Sequence, residues 1–137
     1  MKFIDKEKPS CFETYLVENE EPLCECRVAF ERDVWSISSW YTNKQYLHKG
    51  LGFKTLQHNL QELLNKKGEP EEIRYIWNGA NEYVMDWLKQ HFTPVSMLPV
   101  SMQKENDIDS WDAHVYVLDK DKVFEYFRLD RSGPTLS

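Results

Sequence analysis

No run of about 18 apolar residues occurs in this chain, so a helical membrane span is not expected. The opening segment Met1–Lys8 has no apolar core of the kind a secretory signal needs, and a cytoplasmic location is the expectation. Positive charge is in deficit: Lys and Arg total 17 against 23 Asp and Glu, a net charge of −6. A chain of that sign is not expected to take a nucleic-acid backbone as partner. No internal repeat, low-complexity tract, Ser-His-Asp pattern or Cys-His nucleophile pattern stands out. Cysteine is scarce and odd in number, at three. Cys24 and Cys26 flank Glu25 on an extended run, so both thiols point to one face. With no second Cys pair and no His beside them, no metal site is expected, and the thiols read as small packed apolar groups.

The 137 residues are enough for one domain with a real core. We place that domain at residues 1–128, followed by a flexible tail at 129–137. Phe12–Glu18, Cys24–Glu31 and Val34–Tyr41 read as three strands, the second with Cys24, Cys26, Val28 and Phe30 on one side. Asn19–Pro22 and Arg32-Asp33 reverse the chain between them, which makes an antiparallel meander the simplest arrangement. The period then changes. Phe53, Leu56, Leu60, Leu63 and Leu64 form one stripe of a helix that Gly68 stops. Glu72–Trp77 reads as a strand, and a second helix runs to about His91 with Val84, Trp87 and Leu88 inward. Thr93–Gln103, interrupted by Pro94 and Pro99, reads as an edge strand, and Ala113–Leu118 as the last strand. Asp119–Phe127 reads as a terminal helical turn. The fold class is α+β, a mostly antiparallel sheet with helices in the order β-β-β-α-β-α-β-β.

The chemistry-bearing segment is Trp40–Lys54 (WYTNKQYLHKGLGFK), in which a strand ends, a loop follows and Gly-x-Gly opens a helix. Free N–H groups in a first helical turn, with the partial positive charge of the dipole, suit an anion. Glycine there lets a backbone approach phosphate oxygens. Lys49 and Lys54 sit at the helix end where a cation opposes the dipole by about 0.3–1 kcal/mol, and His48 is beside them. In an acidic chain this placement is explained if an anion belongs there. A plain glycine-containing helix start with solvated lysines explains the same residues without a ligand.

Thr42–Gly52 resembles the acyl-CoA signature of the GNAT (GCN5-related N-acetyltransferase) family, Arg/Gln-x-x-Gly-x-Gly/Ala, at Gly50, Leu51 and Gly52, with Leu47 at the Arg/Gln position. Trp77–Phe92 resembles the family's later motif, an Asn that opens a helix ending in Gly-Phe; Phe92 matches and His91 replaces the Gly. The resemblance implies acetyl-CoA as co-substrate. The implied cofactor-binding residues are Trp40, Tyr41, Thr42, Leu47, His48, Lys49, Gly50, Leu51, Gly52, Phe53 and Lys54, with Asn78 or Asn81 on the pantetheine arm. It implies direct acetyl transfer to an amine acceptor, with the thioester carbonyl polarised by a backbone N–H near Trp40 to Thr42. Glu25, Glu31 and Tyr83 are the candidates for proton transfer. The family's frequent Tyr falls at Trp87, whose indole cannot serve as a phenol-like acid and reads as core. The two helices usual between the family's first and second strands are not visible, which leaves the acceptor open. The alternative is a catalytically weak or inactive module of this type that binds CoA or another protein.

Overall fold

The computed structural model describes residues 1–47, 49–77, 82–92, 96–97 and 114–131. Its strands are β1 (Lys2–Glu7), β2 (Cys11–Glu18), β3 (Glu21–Glu31), β4 (Val34–Thr42), β5 (Glu72–Trp77), β6 (Ser96–Met97) and β7 (His114–Leu118). Its helices are α1 (Leu51–Lys67), α2 (Glu82–Phe92) and α3 (Lys120–Tyr126). The sheet order is β1-β2-β3-β4-β5-β7-β6, antiparallel throughout except for the parallel pair β4–β5. The expected α+β class and its order of elements hold, with two additions.

The first addition is β1. Every one of its residues is exposed, and KFIDKE has no alternation for a core to enforce. Partners make it a strand. Thr14 Oγ1 donates to Asp5 Oδ1 at 2.8 Å, His58 Nε2 lies 2.9 Å from Asp5 Oδ2, and Phe3 stacks on the His58 ring with centroids 4.1 Å apart. Residues 8–10 alone join β1 to β2, so no helix intervenes there. The β2–β3 reversal is a two-residue turn at Asn19 (φ 52) and Glu20 (φ 66), the doubly left-handed geometry that suits a twisted hairpin.

Phe12, Val28, Trp35, Ile37, Ile73 and Tyr75 share one sheet face and one core with Leu56 and Leu60 of α1, Leu88 and Phe92 of α2, and Phe124 of α3. Each such side chain contributes about 1.5–3 kcal/mol by burial. The face of α1 turned to the sheet also carries buried Thr55 and Asn59. Asn59 Nδ2 donates to the Phe12 carbonyl and to Thr14 Oγ1, both at 3.0 Å, which ties the helix to β2. Cys24 and Cys26 are buried thiols, and Cys26 Sγ donates to the Thr55 carbonyl.

The second addition corrects the expected tail. α3, capped by Asp119 accepting from the Lys122 N–H, delivers Phe127 and Leu129 into the core. Gln57 Nε2 donates to the Phe127 carbonyl at 2.6 Å. Gln61 donates to the Asp130 carbonyl and accepts from its N–H. Leu129–Arg131 are therefore docked, because α1 offers them two amides and an apolar seat. Residues 132–137 lie outside those described.

Candidate functional site

β4 and β5 start as neighbours and then part. They pair in parallel over Val34–Ile37 and Glu72–Tyr75 only, while β4 runs on to Thr42 and β5 to Trp77. β4 changes course at the same place. Arg27 opposes Ser39 and Val28 opposes Ile37, so Ser38 is an extra, bulged residue. Its hydroxyl donates to the Arg27 carbonyl at 3.3 Å. Beyond the bulge, the β5-facing edge of β4 has no strand beside it among the described residues, and a wedge opens between the two strands.

The start of α1 lies beside this wedge. Asn43 Oδ1 accepts from the Gln45 N–H and opens a single 3-10 turn at Lys44–Tyr46. Gly50 then caps α1 from a left-handed conformation (φ 74), and it supplies no side-chain cap because it has none to offer. No acidic residue stands in the first turn. The first N–H groups of the helix are therefore left for solvent or a ligand. Lys44, Lys49 and Lys54 are exposed around them, and among the described residues none makes an ion pair. Lys49 Nζ lies 5.7 Å from the Tyr46 ring centroid. Three uncompensated lysines at the positive end of a dipole suit a multivalent anion.

Gly52 has a reason that sequence reasoning did not find. A Cβ there would lie 3.0 Å from Thr42 Oγ1 and 3.4 Å from Trp40 Nε1. Trp40 Nε1 donates to the Gly52 carbonyl at 2.9 Å, and Cys24 Sγ donates to Thr42 Oγ1 at 3.3 Å. The close approach is thus made by β4 itself, and a side chain at Gly52 would require Thr42 or Trp40 to give by a few tenths of an ångström. Gly50, in contrast, has nothing within 4 Å of a Cβ, and its backbone angle alone selects glycine.

From Trp40 a set of rings runs between α1, α2 and α3. Trp40 and Trp87 have centroids 5.0 Å apart, Trp87 meets Tyr126 edge-on at 5.3 Å, and Tyr126 meets Phe53 at 5.4 Å and His91 at 4.6 Å. Trp87 Nε1 donates to the Tyr126 hydroxyl at 3.2 Å. Trp87 is packing, as its indole chemistry implied, and its proton is already committed.

The other candidate residues separate into groups. Tyr41 and Leu47 are exposed, whereas Leu51 is buried with Leu16, Leu23 and Cys24 and anchors the helix start. Phe53 is half-buried and stacks on Phe127. Glu25 lies opposite Tyr41, one strand from the open edge of β4. Glu31 sits at the β3–β4 turn, opposite Val34, at the far end of β4 from the wedge. His48, Asn78, Asn81 and the side chain of Tyr83 lie outside the described residues. Among the described residues no group of three or more His, Cys, Asp or Glu side chains converges as metal ligands do. The Ser38 bulge, Lys44 and the α3 rings were not singled out in the sequence. Only Lys44, as a third basic residue near the glycines, carried a readable signal.

No protein-family model matches the chain, and no curated protein matches it in sequence. Solved structures do. A PaiA N-acetyltransferase from Thermoplasma acidophilum in complex with coenzyme A superposes with a TM-score of 0.57 at 11% identity, over 79% of this chain and 60% of that one. The ribosomal-protein-S18-alanine N-acetyltransferase from Escherichia coli gives 0.54 at 13%, over 82% and 69%. A GNAT-family acetyltransferase from Staphylococcus aureus Mu50 gives 0.62 at 7%, over 78% and 66%. This chain thus spans between three-fifths and about two-thirds of the length of these structures. With a meander leading into a strand that splays from its parallel neighbour, the chain has the fold of the GNAT acetyltransferases.

Proposed function

We propose that the chain binds an acyl-CoA and transfers its acetyl group directly to an amine. The observation that carries this reading is the wedge between β4 and β5 with an uncapped, lysine-ringed helix start beside it. The pyrophosphate is held by the first N–H groups of α1 and by Lys44, Lys49 and Lys54. The pantetheine arm enters the wedge, where free N–H groups of β4 between Ser38 and Thr42 meet the thioester carbonyl. Those groups stabilise the oxyanion as the neutral amine attacks; the carbon–sulfur bond then breaks, and the proton lost by the amine passes through solvent to the departing CoA thiolate. Two solved structures of this fold, the PaiA enzyme and a putative streptothricin acetyltransferase from Bacillus anthracis, hold coenzyme A and acetyl coenzyme A respectively, which supports the choice of ligand.

A second reading is a CoA-binding or protein-binding module without turnover. The ring set Trp40–Trp87–Tyr126 favours it, because it fills space between α1 and α2 next to the wedge. Calorimetric titration with CoA tests the shared step. Saturable binding that weakens as salt rises is expected. No heat and no rise in melting temperature at millimolar CoA overturns both CoA-dependent readings. Product formation across a panel of amines then separates transferase from module.

A further inference from the structure

The stretch of β4 that has left β5 carries Trp40, which opposes Cys26 of β3. The Cys26 thiol reaches the Thr55 carbonyl of α1, so the Trp40 indole projects on the helix face of the sheet. There it meets Trp87 of α2, with centroids 5.0 Å apart. Each ring is fixed at its polar end. Trp40 Nε1 is committed to the Gly52 carbonyl at 2.9 Å and Trp87 Nε1 to the Tyr126 hydroxyl at 3.2 Å. Phe92 holds Trp87 edge-on at 5.0 Å. Trp77 ends β5 on the same face as Ile73 and Tyr75, so it stands across the wedge from Trp40. Trp40 and Trp87 are only half-buried, and each keeps part of its ring toward open space. Among the described residues, indoles thus wall the wedge on its helix side.

A chain lodged between β4 and β5 can leave by the apex or by either face. At the apex the strands pair at Ile37 and Tyr75, spaced about 4.8 Å apart as paired strands are, and no gap remains. A carbonyl bonded to the β4 N–H groups lies in the plane of the sheet. Attack on it comes perpendicular to that plane, so the amine needs the face that the helices leave open. The other face is the indole wall. With the oxygen toward β4 and the sulfur toward the open end, the acyl carbon points to the apex. A methyl group fits there. Each further carbon must turn out of the plane, into the path of the amine or against the rings.

We propose that Trp40 and Trp87 are specificity-determining residues that confine the acyl group to acetyl or propionyl. The inference rests on the acyl-CoA reading and adds the size limit to it. Rings held by hydrogen bonds at one end and by packing at the other yield little, so a longer chain loses affinity rather than displacing them.

Calorimetry with CoA, acetyl-CoA and hexanoyl-CoA tests the wall without any amine. In the wild-type protein, hexanoyl-CoA should bind on the order of tenfold more weakly than acetyl-CoA. Trp87→Leu should bring the two within about twofold, and the smaller cut Trp87→Phe should narrow the gap in part. Val123→Ala, a core truncation on α3 with its own stability cost, should keep the wild-type ratio. Circular dichroism verifies the fold of each variant, and if Trp87→Leu does not fold, Trp87→Phe decides. Equal binding of the two thioesters by the wild type overturns the inference. So does an unchanged ratio in the folded Trp87 variants, or a ratio lost equally in Val123→Ala. CoA itself keeps the two readings apart. CoA bound without discrimination by acyl length sinks the size limit alone, whereas no binding of CoA or either thioester sinks the acyl-CoA reading and the limit with it.

Discussion

Two glycines two residues apart do different work, and substitution separates them. Gly52→Ala drives a methyl against Thr42 Oγ1 and Trp40 Nε1, both already held by hydrogen bonds. Relief means shifting those bonded side chains by a few tenths of an ångström, an overpacking cost of about 1–3 kcal/mol that outweighs the gain of about 1 kcal/mol from Ala in a helix, so a net loss of about 1 kcal/mol is expected in urea unfolding. Gly50→Ala meets no atom but must keep φ near 74, a strain of about 1 kcal/mol. Gly50→Asn should recover part of it, since Asn tolerates that region better. If Gly52→Ala is the milder of the two changes, the close packing on Trp40 is misjudged. Glu13 provides a second test at this scale. Its carboxylate is held down to about 2, mainly by hydrogen bonds from Lys8 and then Arg27. A carboxylate with a depressed pKa stabilises the fold above its unfolded value near 4.5 and loses that contribution as pH falls toward 2. Both partners are half exposed, so the contribution is no more than about 1 kcal/mol. Glu13→Gln should flatten the stability profile between those pH values. An unchanged profile would place the acid sensitivity elsewhere.

For α1, stability and binding pull in opposite directions. Lys49 and Lys54 oppose the helix dipole, so replacing both with Glu should raise the unfolding free energy by about 0.3–1 kcal/mol. The same change should weaken CoA on the order of tenfold, with a shallower salt dependence. Parallel loss of stability and affinity would show that the lysines serve the fold. This helix was readable in the sequence because a long stripe of Leu at helical spacing has one interpretation. β5 was readable from its β-branched and aromatic content between turn signals. β1 was not, because its only apolar residues, Phe3 and Ile4, are adjacent, and its order comes from Asp5, His58 and Thr14 across other elements. The glycines at the start of α1 and the exposed lysines around them were legible in the sequence. The Ser38 bulge was not, because it is a register shift between two strands and leaves no mark in either one alone. The buried amide of Asn59 hid for a related reason: the apolar stripe was plain, and the polar residues sharing its face had partners only a fold could supply.

Over the whole molecule, the boundary at residue 128 moves outward. Ending the chain after Tyr126 removes Phe127 and Leu129 from the core and both Gln clamps from α1. A loss of about 3–5 kcal/mol is expected, enough to broaden or abolish cooperative unfolding. Ending it after Arg131 keeps every contact described and should unfold as the full chain does. Comparable melting of both truncations would return residues 127–131 to a loose tail.

The amide clamps between Gln61 and Asp130 join positions 69 apart in the chain. A ribosome emits α1 long before it emits its partner segment, so the nascent domain carries an unsealed flank of Leu side chains until Phe127–Arg131 have emerged as well. The interval exposes apolar surface to chaperones at the one moment when a late-arriving strap of five residues decides whether the core shuts.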